Sequence, residues 1–193
     1  MRRLLLCLLF TVGCADAYLD AKIDALGPED PSFEPSEIHR PGAPCVLCHS
    51  NYGGAEPTMA IGGTLFYEPA DGEPYPVAGY TVRVVDSEGQ TLDMVSNRCG
   101  NFFVTRDDFT PVYPMRAELL APDPATPDKL LSNRAMASRI SRDGSCGSCH
   151  AHPASSFSPG VVFVVPPAGS PPAPPQGCPP PNYAAQPNTK DPG

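Results

Sequence analysis

Short runs of alternating apolar and polar residues, punctuated by glycine and proline, fill the middle of the chain. Tyr80, Val82 and Val84 alternate with Thr81 and Arg83, the period-two pattern of a strand with one buried face. Asp86-Ser87-Glu88-Gly89 supplies turn chemistry, and Gln90 to Val95 reads as the return strand. Asn97 to Asn101 makes a second turn before a strand over Phe102 to Thr105. Met115, Ala117 and Leu119 alternate with Arg116 and Glu118 to give another, and Ala60 to Tyr67, entered through Gly62-Gly63, is one more. Lys129 to Ser141 lies between a short helix and an irregular strand, and the strand is preferred. Val161 to Val165 is an apolar, β-branched and aromatic run of strand length. Strands at this spacing predict an all-β fold, a small antiparallel sandwich over residues 58–166.

The flanks read differently. Arg2 and Arg3 precede a short apolar run, Leu4 to Val12, which has the form of a secretory leader over residues 1–17 and is too brief to span a bilayer. Two processing routes are open. Ala15-Asp16-Ala17 is a small-residue cleavage site before Tyr18, and Val12-Gly13-Cys14 resembles a bacterial lipobox that would place a lipid on Cys14. The lipobox is preferred because Gly-Cys falls where the apolar run ends, although Thr11 departs from its usual leucine. Either route takes the chain out of the cytoplasm, to the periplasm or to the outer membrane or cell surface as a lipoprotein. Residues 18–57, with Pro28, Pro31, Pro35 and Pro41, read as an irregular leader. From Pro166 onward 11 of 28 residues are proline, so the tail over 167–193 is expected to be polyproline-like or disordered.

Chemistry enters with Cys45-Val46-Leu47-Cys48-His49 and Cys146-Gly147-Ser148-Cys149-His150. C-x-x-C-H is the attachment signature of c-type haem: two thiols add across the vinyl groups, and the adjacent imidazole is the proximal iron ligand. The expected cofactors are two covalently bound haem c groups, held by Cys45, Cys48, Cys146 and Cys149, with His49 and His150 on the irons. The chain has 4 histidines, so His39 and His152 are the candidates for the distal positions. His152 is two residues from His150 and cannot easily reach the far side of the same haem. It could serve the other one, which would place the two groups close together. His39 could close over its own haem or serve the second. The competing reading makes both exposed loop residues. Met59, Met94, Met115 and Met136 are the other sixth-ligand candidates, but at strand spacing a methionine is more often core. Cys99 and Cys178 are left over, and in an oxidising compartment an even pair suggests a disulfide.

The middle of the chain also has the shape of a known module. Gly62-Gly63-Thr64-Leu65-Phe66-Tyr67, Val77 to Val84, Asp86, Gly89 and Gly100-Asn101-Phe102-Phe103 resemble the carboxypeptidase regulatory-like sandwich, a transthyretin- or immunoglobulin-like β module. With Cys146 to His150 and Pro159-Gly160-Val161-Val162, residues 44–166 look like exported bacterial multihaem c-type cytochromes built on that sandwich. The resemblance implies electron transfer between redox proteins without naming a pathway.

Charge narrows the partners. Lys and Arg number 13 against 21 Asp and Glu, a net of −8. Loss of Arg2 and Arg3 with the leader takes the mature chain to −10, or to −9 if Asp16 is also removed. Such acidity argues against nucleic acid and anionic lipid and suits a basic docking partner. The 27 prolines and the absence of tryptophan argue against a helical bundle. The functional expectation is an exported dihaem c-type cytochrome, a one-electron carrier and not an enzyme. A dihaem peroxidase would need further acid–base groups beside an open iron. The alternative is a cell-surface sandwich in which haem, or a four-thiolate zinc site, is only a staple. Zinc does not require the histidine that follows each thiol pair, and haem c does.

Overall fold

A computed structural model describes residues 16–167 and 171–182. The apolar leader with Cys14, the remainder of the cleavage motif before Asp16 and the last residues of the tail lie outside the described residues. The described residues open with a helix, α1 (Ala17–Ala25), where an irregular segment was expected. The prolines of this region begin only at Pro28. The preceding run is free of proline and glycine, and Asp16 caps it by accepting from the amides of Tyr18 and Leu19 at 3.1 and 3.2 Å. A single helical turn, α2 (Cys45–Cys48), follows at the first thiol pair.

Among the described residues eight strands follow: β1 (Met59–Tyr67), β2 (Tyr75–Pro76), β3 (Thr81–Val85), β4 (Thr91–Val95), β5 (Asn101–Thr105), β6 (Arg116–Asp123), β7 (Thr126–Ala135) and β8 (Val162–Phe163). One sheet has the order β2-β1-β5, with β8 also paired to β1, and the other has the order β4-β3-β6-β7. Every named pairing is antiparallel except β1–β8, which is parallel. The two sheets of mostly antiparallel strands make a small sandwich, as the period-two pattern predicts. Between them lies an apolar core that includes Ile61, Leu65, Val82, Val84, Phe102, Met115 and Leu119. Met94 and Met115 belong to this core, as methionines at strand spacing were expected to. The ambiguous stretch after Lys129 is strand as far as Ala135, and Ile140 pairs with Met115 beyond it.

β1 is buried along nearly its whole length, on both faces. A sheet strand with one wet face would alternate, so something covers its outer side. The cover is the proline-bearing segment of residues 37–42. Gly42 donates its amide to Thr64 Oγ1 at 2.8 Å, Thr64 donates to Asn101 Oδ1 at 2.7 Å, and Asn101 Nδ2 donates to the carbonyls of Glu37 and His39 at 3.1 and 3.0 Å. Part of the tail, residues 171–182, is described, and the leftover cysteine pair is the disulfide that the sequence suggests. Cys178 is bonded to Cys99, Tyr75 Oη donates to Pro172 O at 2.6 Å, and the Asn182 amide donates to Pro41 O at 2.7 Å. A proline-rich segment cannot build a core alone, but it needs none once it is tied to a sandwich that already has one.

Candidate haem-attachment sites

Each motif sits on a tight turn at the border of the first sheet: the first on α2, the second on a 3-10 turn over Cys146–Ser148. One turn of helix places the residues at i and i+3 on the same side, which brings each thiol pair together. The following histidine leaves the turn, and its amide returns to the first cysteine's carbonyl: His49 to Cys45 at 3.0 Å, His150 to Cys146 at 2.9 Å.

The two histidines are held alike. His49 Nδ1 lies 3.0 Å from the Pro57 carbonyl and His150 Nδ1 lies 3.0 Å from the Gly160 carbonyl. A carbonyl only accepts, so Nδ1 carries the proton and Nε2 keeps its lone pair. Pro57 stands two residues ahead of β1 and Gly160 two ahead of β8, and these strands are parallel neighbours. The register sets Val162 opposite Leu65, so Gly160 lies level with Gly63 and the two carbonyls serve different levels of β1. The loop that leads to Gly160 is itself clamped: Ser158 Oγ accepts from the Ala151 amide at 2.9 Å and donates to its carbonyl at 3.0 Å.

Glycine makes room for the cysteines. A Cβ on Gly62 would stand 2.9 Å from Cys45 Cβ, and a Cβ on Gly63 would stand 2.7 Å from Cys146 Cβ. The turns also touch each other, since a Cβ on Gly147 would fall 2.8 Å from the Ala43 carbonyl. The two thiol pairs, with 97 residues between Cys48 and Cys146, are therefore neighbours, and Gly62-Gly63 is their common seat. Burial pushes the Cys45 thiol up to about 11 and the Cys146 thiol up to about 12. Burial also raises Cys48, with the Arg40 charge opposing it. Cys149 is exposed.

His39 stands beside His49, with ring centroids 5.6 Å apart and ring planes 26° from parallel. Its Nδ1 is bonded to the Ser36 carbonyl. A cleft of about 390 Å³ adjoins it, lined by Phe33, Arg40 and, from the tail, Pro179 to Asn182, within the roughly 300–1,000 Å³ range of small-molecule and cofactor sites. Cys48 feels the charges of Arg40 and Glu29, which line the same cleft. His152 is placed differently: its Nε2 lies 3.1 Å from the Glu73 carboxylate. Met59 is buried with its sulfur near Gly62, on the side of Cys45, and Met136 is half-buried beyond β7.

Among the described residues no group of three or more His, Cys, Asp or Glu side chains converges as a metal cage, so the four thiols do not form the tetrahedral set that structural zinc requires. A haem asks less of the chain, because the macrocycle supplies four nitrogens and the protein only one or two axial donors. Paired thiols on one turn, an adjacent imidazole with a free Nε2, and glycine beneath the first thiol of each pair suit that request. Sequence reading missed the Pro57 and Gly160 carbonyls, Glu73 and Asn101. Only Gly62-Gly63 and Pro159-Gly160 left a trace, as unusual glycines beside strands. Comparison with known proteins returns no matching family model, no matching curated protein and no matching solved structure.

Proposed function

We propose that this chain is an exported dihaem c-type cytochrome that passes electrons one at a time between other redox proteins. The observation that carries the reading is the shared treatment of His49 and His150: each has Nδ1 on a backbone carbonyl and Nε2 left for a metal. That arrangement holds the ring orientation and raises the basicity of the ligating nitrogen. Cys45 and Cys48 hold one macrocycle, and Cys146 and Cys149 hold the other. When bound, haem supplies the reversible Fe(III)/Fe(II) couple.

The remaining work belongs to the chain. Contact between Gly147 and the Ala43 carbonyl keeps the two attachment turns together, which supports exchange between two nearby centres. The Cys99–Cys178 bond suits an oxidising compartment, in agreement with export to the periplasm or to the cell surface on a lipid at Cys14. Net acidity favours a basic partner and argues against nucleic acid.

The test is expression with haem-maturation machinery, followed by intact mass and a reductive titration in the visible region. Two covalent haems that reduce and reoxidise reversibly are expected. A purified chain without a Soret band, or with haem that no redox protein can oxidise, overturns the reading.

A further inference from the structure

The four histidines are not equivalent. His39, His49 and His150 each have Nδ1 engaged by a backbone carbonyl, whereas His152 turns its Nε2 to Glu73. Two imidazoles on opposite sides of one metal ion stand roughly 6 Å apart between ring centres, given metal–nitrogen bonds of about 2 Å. The 5.6 Å between His39 and His49 matches that span. His39 is also held firmly. Asn101 takes its carbonyl, Ser36 takes its amide and Nδ1, and Arg40 follows in the left-handed region at φ 45°. A left-handed arginine costs conformational energy that the surrounding bonds must offset, a condition met most often at functional sites. These ties set the ring beside the cleft and beside His49.

With His39 committed to the first motif, no histidine is left for the second. His152 lies two residues from His150, and two residues of chain span at most ~7 Å, too short to pass round a macrocycle to its far side. Met94 and Met115 are in the core, Met59 belongs to the first motif's side of β1, and Met136 follows the end of β7 in the other sheet.

We infer that the two motifs build unlike iron sites: the first takes both axial imidazoles from this chain, His49 and His39, and the second takes His150 alone, leaving its sixth position to a small external ligand of the carbon monoxide or cyanide class. This rests on the dihaem reading above. It adds to that reading a ligand-binding site at the second motif and a six-coordinate relay at the first.

The experiment uses the holoprotein reduced with dithionite and titrated with carbon monoxide, with the bound haem counted separately by intact mass and the alkaline pyridine spectrum. Half of the haem should shift to the carbonyl spectrum and half should not. In His39→Ala all of the haem should shift. His39→Met, which keeps a sixth ligand, should return binding to half while altering the visible spectrum of the other half. His152→Ala should leave the stoichiometry at half. Binding by none or by all of the wild-type haem overturns the inference, as does a thioether-ligated second iron or an unchanged stoichiometry in His39→Ala. Fewer than two covalent haems overturns the functional reading itself, and the mass registers that before any ligand is added.

Discussion

Replacing Cys178 by serine cuts the covalent tie between the tail and the sandwich. The bond joins residues 79 apart, so the denatured chain with the bond intact is a loop of about 80 residues. Closing such a loop removes about 15 cal/mol/K of chain entropy, or about 4.5 kcal/mol at 25 °C. The folded side loses little. Cys99 stays fully buried as a small apolar thiol, and Tyr75 and Asn182 still hold the tail through their bonds to Pro172 and Pro41. Cys178→Ser should therefore lower the unfolding free energy by about 4 kcal/mol, or Tm by roughly 8–16 °C. The chain has no tryptophan, so urea unfolding is best followed by far-UV circular dichroism. Wild type in a dithiol reductant should fall to the curve of the variant. A variant within about 1 kcal/mol of wild type, or a wild type indifferent to reductant, would refute the reasoning and leave the tail as a passenger.

Asp86 is buried, which would raise its carboxyl, but the amides of Val112, Gln90, Glu88 and Gly89 outweigh burial and hold it below the usual carboxylate range. Asp86→Ala should cost about 2 kcal/mol. A depressed folded-state value means the contribution is present above the unfolded pKa, near 4, and lost as pH falls through the folded value. Acid unfolding should therefore flatten in the variant. Gly63→Ala puts a methyl group 2.7 Å from Cys146 Cβ and 2.9 Å from the Phe102 ring, and should lower the yield of holoprotein carrying haem at the second motif, read by intact mass. In the folded haem-free chain, Cys45 and Cys146 should alkylate at least about 100-fold more slowly at pH 8 than exposed Cys149, from their raised thiols alone. Equal rates would show that the thiols are not buried as described. Arg83 and Asp93 meet in a bidentate pair at 2.7 Å, but both are 38 % exposed, so Asp93→Asn should shift stability by no more than about 1 kcal/mol.

What the sequence alone determined is what neighbouring residues can encode. Tyr80 to Val84 alternates because a strand with one buried face must, and the structure has strand there from Thr81 to Val85. The thiol pairs announce their chemistry because one turn of chain brings both sulfurs and the next imidazole together. The helix at Ala17–Ala25 was legible in the same local terms, from Asp16 and a run without proline, but was masked by the prolines that follow. Of the tail, the cysteine pair was legible as a disulfide, but proline content reports only what a segment cannot do alone, and it did not show that Pro172 and Asn182 also fasten residues 171–182 to the rest of the fold. Only tertiary structure decided which carbonyl holds each histidine, that Gly62-Gly63 seats both thiol pairs, and that His39 stands beside His49 while His152 faces Glu73. These pairings depend on β8 lying parallel to β1 and on the leader crossing the outer face of the sheet. Such partners are far apart along the chain, and no periodicity or spacing records which of many distant groups the folded sheets bring into contact.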